Sequence, residues 1–314
     1  MILAPMQGLT EILFRRVYEE CFPGVIPLAV SPFLSLTHNI HHSHGSALKA
    51  YLADVLPENN KNSIPLIPQI LGREPEEFVY LANILTDLGY TEVNWNIGCP
   101  MRAVTGKHRG SGILPYPDEV RQVLDAVVPH LRCKLSIKTR LGLHSKEEIF
   151  QLVAVFNDYP LASLTIHPRT GKQQYGGQPD LAAFGQVLPL LKAPVIYNGD
   201  ICTAADALHI RTHFPTVADL MVGRGVLYHP TLPLLLNGLQ PENIDCLGQA
   251  KHFIRRLVEE INHTLPDDTS RLRKTKEYWG LLWRSLSISE IQAKTVLRAQ
   301  NLQTVDNLIA DFIQ

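Results

Sequence analysis

Short apolar runs rich in Val, Ile and Leu alternate with helix-like segments from the N-terminus to about Leu239. Unbroken apolar runs of this length are typical of parallel strands that are buried on both faces. We predict eight strands, at residues 2–6, 25–31, 66–71, 92–96, 134–139, 163–167, 195–198 and 219–222. Helices are predicted between them, among others at residues 74–88, 117–127, 146–157 and 204–212.

Eight such β/α units close naturally into a barrel, although an open doubly wound sheet shows the same alternation. Glycine and polar residues follow seven of the strands, at Gln7-Gly8, Gly72-Arg73, Gly98-Cys99, Arg140, Arg169-Thr170, Gly199-Asp200 and Gly223-Arg224-Gly225. A barrel builds its active site from many strand ends at one face. A dinucleotide-binding sheet would instead concentrate its glycines after the first strand, where this chain has no GxGxxG.

The strand pattern stops after Leu239, and helical periodicity covers residues 244–264 and 272–312. We therefore predict a (β/α)₈ TIM barrel at residues 1–239 and a small all-helical domain of three or four helices at 240–314. No run of about 18 apolar residues indicates a membrane span. The N-terminus lacks the pattern of a secretory signal, so a cytoplasmic location is expected.

Composition adds two constraints to this picture. A chain of 314 residues with 45% hydrophobic and 19% charged residues is typical of a globular protein with a large core. Its net charge of −1 lacks the basic excess of many nucleic-acid binders, so any RNA contact must come from a local patch. Neither the five scattered cysteines nor the histidine cluster predicts a metal site, and we interpret the cluster as a solvated loop: His38, His41, His42 and His44.

Two strand ends carry a thiol and a pair of cations. In Asn96-Ile97-Gly98-Cys99-Pro100, the glycine turn and the stiff proline would hold the Cys99 thiol at the barrel mouth. The alternative is a cysteine that packs as a small hydrophobic residue. Alternation places Lys138 and Arg140 on one face of their strand, where burial is costly without an anionic or electron-rich partner. The alternative is a lysine that extends to solvent.

Two further features are typical of ligand binding. His167 ends the sixth strand, where it can hydrogen-bond a ring carbonyl or a substrate, or serve only structure. Asn198-Gly199-Asp200 and Gly223-Arg224-Gly225 follow the last two strands. In barrels this is a recurrent phosphate site, where glycine turns and a helix N-terminus offer N–H groups and Arg224 can add a bidentate contact. Tight turns without a ligand are the alternative.

In this order, APM-G at residues 4–8, Gln69 to Gly72, NxGCP, K-x-R-L-G, H-x-R-T, NGDI and GRG make a specific combination. The chain resembles the bacterial tRNA-dihydrouridine synthase family over nearly its whole length. The resemblance implies FMN, NADPH as reductant, and reduction of the C5–C6 bond of a D-loop uridine in tRNA, with Cys99 as the acid that protonates C5. It also implies contacts with FMN from Pro5, Met6, Gln69, Asn96, Lys138, His167, Asn198, Gly199, Asp200, Gly223 and Arg224.

The same resemblance assigns tRNA binding to the helical domain of a monomer. Four basic residues stand within six positions next to Tyr278, Trp279 and Trp283, and we expect them to contact phosphates: Arg271, Arg273, Lys274 and Lys276. They could instead form a solvated helix face. Because Trp279 and Trp283 are spaced i to i+4, we interpret at least one of them as helix core.

Two features depart from the family pattern, namely Pro168 after the histidine and the loop at residues 110–116 after the NxGCP motif. Both bear on the substrate. One alternative is an FMN-barrel reductase that acts on a small dihydropyrimidine or enone, which would not need the basic helical region. Another is a non-catalytic RNA-binding protein on a flavin-barrel scaffold, against which the combination of Cys99, Lys138 and His167 argues.

Overall fold

The computed structural model describes residues 1–36 and 45–314, so the histidine cluster at 38–44 lies outside the described residues. Eight parallel strands close into a barrel in chain order, with β8 paired to β1. This confirms the predicted barrel. The strands are β1 Ile2–Leu3, β2 Leu28–Ser35, β3 Leu66–Leu71, β4 Glu92–Ile97, β5 Lys134–Gly142, β6 Leu164–Thr170, β7 Val195–Tyr197 and β8 Asp219–Val222.

Helices surround the barrel and form the end of the chain, and none in the described ranges is long and apolar enough to cross a membrane. Those up to residue 236 are α1 Ile12–Cys21, α2 Gly45–Tyr51, α3 Pro75–Asp87, α4 Arg102–Thr105, α5 Pro117–Val127, α6 Glu148–Asn157, α7 Leu181–Val187, α8 Ala204–His213, α9 Arg224–Tyr228 and α10 Leu232–Leu236. The C-terminal helices are α11 Cys246–Thr264, α12 Asp268–Leu282, α13 Glu290–Arg298 and α14 Leu302–Phe312.

Several strand bounds differ from the predicted ones. β2 begins and ends later than predicted, because the apolar residues Val25 and Ile26 pack before the strand begins. β2 also continues past Pro32, where the register with β3 shifts. β6 likewise continues past Pro168, and its register with β5 shifts beyond Arg140. A strand tolerates a proline at such an irregularity because no regular ladder hydrogen bond is required there.

Alternation along the strands separates two environments. Outward side chains such as Trp95, Ile137 and Ile166 pack against the helices in the main core. Inward side chains form a small apolar cluster at the base of the barrel, comprising Ile2, Ala4, Val30, Ile196 and Met221. The inward positions nearer the strand ends are polar, which is where a barrel carries its active site.

The C-terminal helices pack on one side of the barrel. Phe253 of α11 lies edge-on to Phe14 of α1, with ring centroids 5.5 Å apart. Trp279 of α12 is 1% exposed, donates its Nε1–H to the carbonyl of Ala293 at 3.0 Å and stacks on Phe312. The prediction that one of the two tryptophans belongs to the helix core is therefore confirmed.

Candidate active site

A cavity of about 460 Å³ opens at the carboxyl ends of the strands. Its volume is in the range of small-molecule and cofactor sites. Eleven of the twelve residues predicted for cofactor binding and catalysis line it: Pro5, Met6, Asn96, Cys99, Lys138, His167, Asn198, Gly199, Asp200, Gly223 and Arg224. The closure of the barrel brings these positions together from six strand ends.

Gln69 is the predicted residue that does not line the cavity. It is fully buried one layer below, where its Oε1 accepts a hydrogen bond from Asn96 Nδ2 at 2.8 Å. Its Nε2 donates to Asn94, which in turn donates to Ser136 at 2.9 Å. This buried chain fixes which way the Asn96 amide faces.

Asn96 holds the loop that carries the thiol. Its Oδ1 accepts hydrogen bonds from the backbone N–H groups of Gly98 at 3.1 Å and Cys99 at 2.9 Å. The carbonyl of Cys99 accepts from both the N–H and the hydroxyl of Ser111. Gly110 has φ +54°, and a Cβ there would lie 2.6 Å from the Cys99 carbonyl oxygen. The loop that departs from the family pattern thus packs directly on the cysteine.

The thiol of Cys99 is arranged to stay protonated. Burial raises its pKa above the ordinary value, while a hydrogen bond from Met101 and the charges of Arg140 and Lys138 act in the opposite direction. A thiol with a raised pKa keeps its proton at neutral pH, as a proton donor requires.

Cations dominate the neighbouring strand, β5, which pairs with β4 at Asn96 and Lys138. Burial, and then the charge of Arg140, lowers the pKa of Lys138 from 10.5 to about 7. Burial likewise lowers the pKa of Arg140 to about 10. Arg140 donates to the carbonyls of Gly98 and Gln174, at 2.9 and 2.7 Å. An electron-rich or anionic ligand would relieve the cost of placing these charges together.

Asp200 joins two arginines at the other end of the cavity. It accepts hydrogen bonds from Arg169 and from Arg224, the latter at 2.6 Å. Burial would raise the pKa of Asp200, but its hydrogen bonds and charge interactions with the two arginines lower it below the ordinary value. Its backbone lies in the left-handed region, with φ +42°. Because these contacts hold that strained conformation, the turn after β7 is fixed before a ligand arrives.

Several residues of the site were absent from the predicted set, among them two arginines and a tyrosine. Arg140 and Tyr175 line the cavity, and Tyr175 is 53% exposed with its ring centre 4.7 Å from the guanidinium of Arg224. Arg169 is 1% exposed behind the wall. The two arginines could have been identified from their inward or buried positions on strands, because a charge at such a position requires hydrogen-bonding or charged partners.

The donor set fits a flavin that carries a phosphate. Gly199 and Gly223 line the cavity beside Arg224. A Cβ on the neighbouring Gly225 would lie 2.0 Å from the carbonyl oxygen of Ile201, so the two turns are packed against each other. A cationic side chain next to tight glycine turns is suited to an anion, and the N–H donors of Lys138 and Arg140 are suited to ring carbonyls.

Helix α12 forms part of this site. Its Leu281 lines the cavity, and its Lys274 Nζ donates to the carbonyl of Gly8 at 2.6 Å. The hydroxyl of Tyr278 donates to the carbonyl of Leu9 at 2.9 Å. The loop after β1, which supplies Pro5 and Met6 to the cavity, is therefore held by a C-terminal helix.

The residues predicted to bind tRNA have varied surroundings. Arg271 donates to the carbonyl of Leu265 and pairs with Asp268, and Lys276 donates to the carbonyl of Ala299. Arg273 is exposed. A role of these residues in tRNA binding stays a prediction, although the ammonium groups of Lys274 and Lys276 already have internal partners.

Replacing Lys274 by methionine is expected to raise the Kd for flavin by about tenfold, or roughly 1.4 kcal/mol. That is the lower end of what a hydrogen bond from a charged group contributes. Flavin fluorescence titration measures it. Lys276→Met is the matched control, because it removes a lysine of the same helix that donates to the carbonyl of Ala299, between the C-terminal helices α13 and α14. Equal changes in both variants would contradict this role of Lys274.

The fold and the cavity define a (β/α)₈ barrel with a cofactor-sized cavity at the ends of its strands. Among solved structures, the chain superposes on morphinone reductase with a TM-score of 0.53 at 15% identity, covering 77% of this chain and 88% of that one. It superposes on the old yellow enzyme from Trypanosoma cruzi with a TM-score of 0.52 at 12% identity, covering 77% and 88%. At these identities the likeness establishes the fold.

Sequence comparison establishes the family. The family model described as dihydrouridine synthase (Dus) matches residues 2–308, so the chain belongs to the dihydrouridine synthase family and is a flavin-dependent oxidoreductase. It is 31% identical over 241 residues to tRNA-dihydrouridine synthase B of Pasteurella multocida, covering 76% of this chain and 69% of that protein. It is 26% identical over 331 residues to tRNA-dihydrouridine(16) synthase of Neisseria meningitidis serogroup B, covering 99% and 94%.

Proposed function

We propose that this protein is a cytoplasmic, monomeric tRNA-dihydrouridine synthase that uses FMN and NADPH to reduce the C5–C6 bond of a D-loop uridine, with Cys99 as general acid. The observation that carries the proposal is one cavity lined by the Cys99 thiol, the half-buried Lys138 and the glycine turns beside Arg224. Family membership supplies the reaction class.

One residue of the chain transfers a proton, and the others position the reacting groups. When bound, the flavin supplies the hydride that adds to C6. Cys99 gives its proton to C5, which completes the reduction, and the thiolate regains a proton from solvent. Asn96 holds the Cys99 loop, while Lys138 and Arg140 present N–H donors from the neighbouring strand β5. The target base must leave its stack to reach a cavity of this depth.

The comparisons also favour a position in the tRNA. A relative that matches almost the whole chain, C-terminal helices included, carries position 16 in its name. Relatives named synthase B match 73–76% of this chain, for example 73% for the protein of Escherichia coli K12. We therefore expect the D-loop uridine at position 16 to be reduced.

The test is reconstitution with FMN and NADPH on an unmodified tRNA transcript, followed by mapping of dihydrouridine at each D-loop position. We expect product at one position, and none on free uridine. Reduction of small enones or pyrimidines without any change in tRNA would replace the proposal by the small-molecule reductase. Absence of both activities in protein that contains flavin would favour the non-catalytic RNA-binding scaffold.

A further inference from the structure

A single buried guanidinium, that of Arg169, connects the parts of the site. Its Nη1 lies 3.1 Å from His167 Nε2 and donates to Asp200 Oδ1 at 2.9 Å. Its Nη2 donates to the carbonyl of Gly177 at 2.6 Å, and its Nε to the carbonyl of Gly176 at 3.1 Å. None of the motifs singled out in the sequence assigns it a role.

The contact with His167 fixes the position of a proton. A guanidinium has only N–H donors and no acceptor, so the histidine nitrogen that faces it must carry a lone pair. A neutral imidazole bears one proton, which leaves that proton on Nδ1. Burial, and then the charges of Arg140, Lys138, Arg169 and Arg224, lowers the pKa of His167 well below its ordinary value, so the ring is neutral.

We propose that Arg169 is a positioning residue that fixes His167 as the Nδ1–H tautomer, so that His167 serves the cavity as a hydrogen-bond donor and not as a proton source. The consequence for catalysis rests on the proposed function. A neutral imidazole N–H does not ionise near neutral pH, so His167 does not compete with Cys99 as the acid.

The surroundings of His167 are consistent with a donor role. Three basic side chains reach the ring from other elements, Lys138 and Arg140 from β5 and Arg224 from the residues after β8, and Arg169 lies on β6 itself. One carboxylate, that of Asp200 after β7, lies nearby and is paired with Arg169. The ring of Tyr175 lies 6.3 Å away between centroids. Since three arginines and the partly protonated Lys138 face one carboxylate, a second proton on the imidazole would be strongly opposed.

The decisive measurement is the ¹⁵N spectrum of histidine-labelled wild-type protein, free of flavin and loaded with it, across mildly acidic to mildly alkaline pH. The His167 signals are assigned by their loss in His167→Gln. We expect a protonated Nδ1, an unprotonated Nε2 and no titration over this range. An Nε2–H tautomer, or titration near the ordinary histidine value, would overturn the proposal.

Variants then test whether Arg169 is the cause. Arg169→Met should give mixed tautomers, and Arg169→Lys, which keeps a donor, should restore a single one. Arg224→Met is the matched control, because it removes the other arginine on Asp200 but leaves the partner of Nε2 in place. A single Nδ1–H tautomer in Arg169→Met would refute the positioning role.

The spectra test the tautomer of His167 even if one of the variants does not fold. If Arg169→Met does not fold, the wild-type protein and Arg169→Lys still report the tautomer. The flavin-free spectrum requires no substrate, so a wrong tautomer and an absent synthase activity are separate results.

Discussion

Replacing Cys99 by alanine is expected to lower dihydrouridine formation by about 10²- to 10⁴-fold, the contribution of a positioned general acid. Flavin content and NADPH oxidation should persist. The Cys99 thiol lies on the loop that Asn96 holds, and this loop is separate from the glycine turns beside Arg224. Mapping of dihydrouridine in tRNA, with flavin absorbance and NADPH consumption in parallel, measures both effects.

Cys202→Ala provides the matched control. Both Cys99 and Cys202 line the cavity, and burial raises the pKa of both thiols. The pair therefore separates proton donation from the packing of a buried sulfur atom. A comparable loss in the two variants would argue for packing, and product formation close to the wild-type rate in Cys99→Ala would remove Cys99 as the acid.

The pH dependence of the reaction rate provides a second test of Cys99 as the general acid. A general acid acts only while protonated, so the rate should fall as pH rises through the pKa of Cys99. Because burial raises that pKa, the fall should come on the alkaline side of the ordinary thiol value. A rate that instead rises with pH in this region would indicate that the thiolate is the working form.

The sequence predicted most of the cavity because two rules of barrel geometry apply to it. Apolar runs locate the strands, and polar residues at consecutive strand ends must meet once the barrel closes. Asn96 lies on an inward position near the end of β4, and Lys138 and His167 lie on inward positions midway along β5 and β6, so alternation alone directs them into the cavity.

Depth along the barrel could not be predicted in the same way. Gln69 points inward like Asn96, yet it lies one layer lower, where Asn94 and Asn96 take up its amide. Alternation gives the face of a strand, but the stagger between strands decides the layer. That stagger depends on pairings between distant segments.

Partners of charged side chains could not be predicted either. The sequence shows four basic residues close together on one helix, but not that the carbonyl of Gly8, far away in the chain, accepts a hydrogen bond from Lys274. Arg169 was overlooked for the same reason, since its partners come from the loop at 176–177 and from the turn after β7. A group of basic residues in the sequence indicates that these side chains have partners, but it does not identify the partners.

Replacing Lys138 by methionine is expected to stabilise the flavin-free protein at pH 7 while weakening its hold on flavin. Burial lowers the pKa of Lys138 from 10.5 to about 7, so folding costs free energy at any pH where the lysine of the unfolded chain is protonated. At about 1.36 kcal/mol for each pKa unit, and allowing for the part of the amine that faces the open cavity, the gain in unfolding free energy is on the order of 2–4 kcal/mol. Denaturant unfolding measures it.

The sign of the pH dependence follows from proton binding. Between pH 7 and 10.5 the unfolded lysine is protonated and the folded one is not, so the wild-type protein gains stability as pH rises through this interval. Methionine has no such proton. The advantage of Lys138→Met should therefore be largest at and below pH 7 and shrink towards pH 10.5.

Lys134→Met tests whether the effect belongs to the site. Lys134 begins the same strand, β5, but is exposed at its opposite end. Its replacement should change the unfolding free energy by about 0.5 kcal/mol at most, as is usual for surface positions. A flavin-free Lys138→Met protein that is no more stable than wild type at pH 7 would contradict the destabilising effect of Lys138. If stability rises and flavin affinity falls together, the cost of burying Lys138 is explained by the electron-rich ligand that its cavity binds.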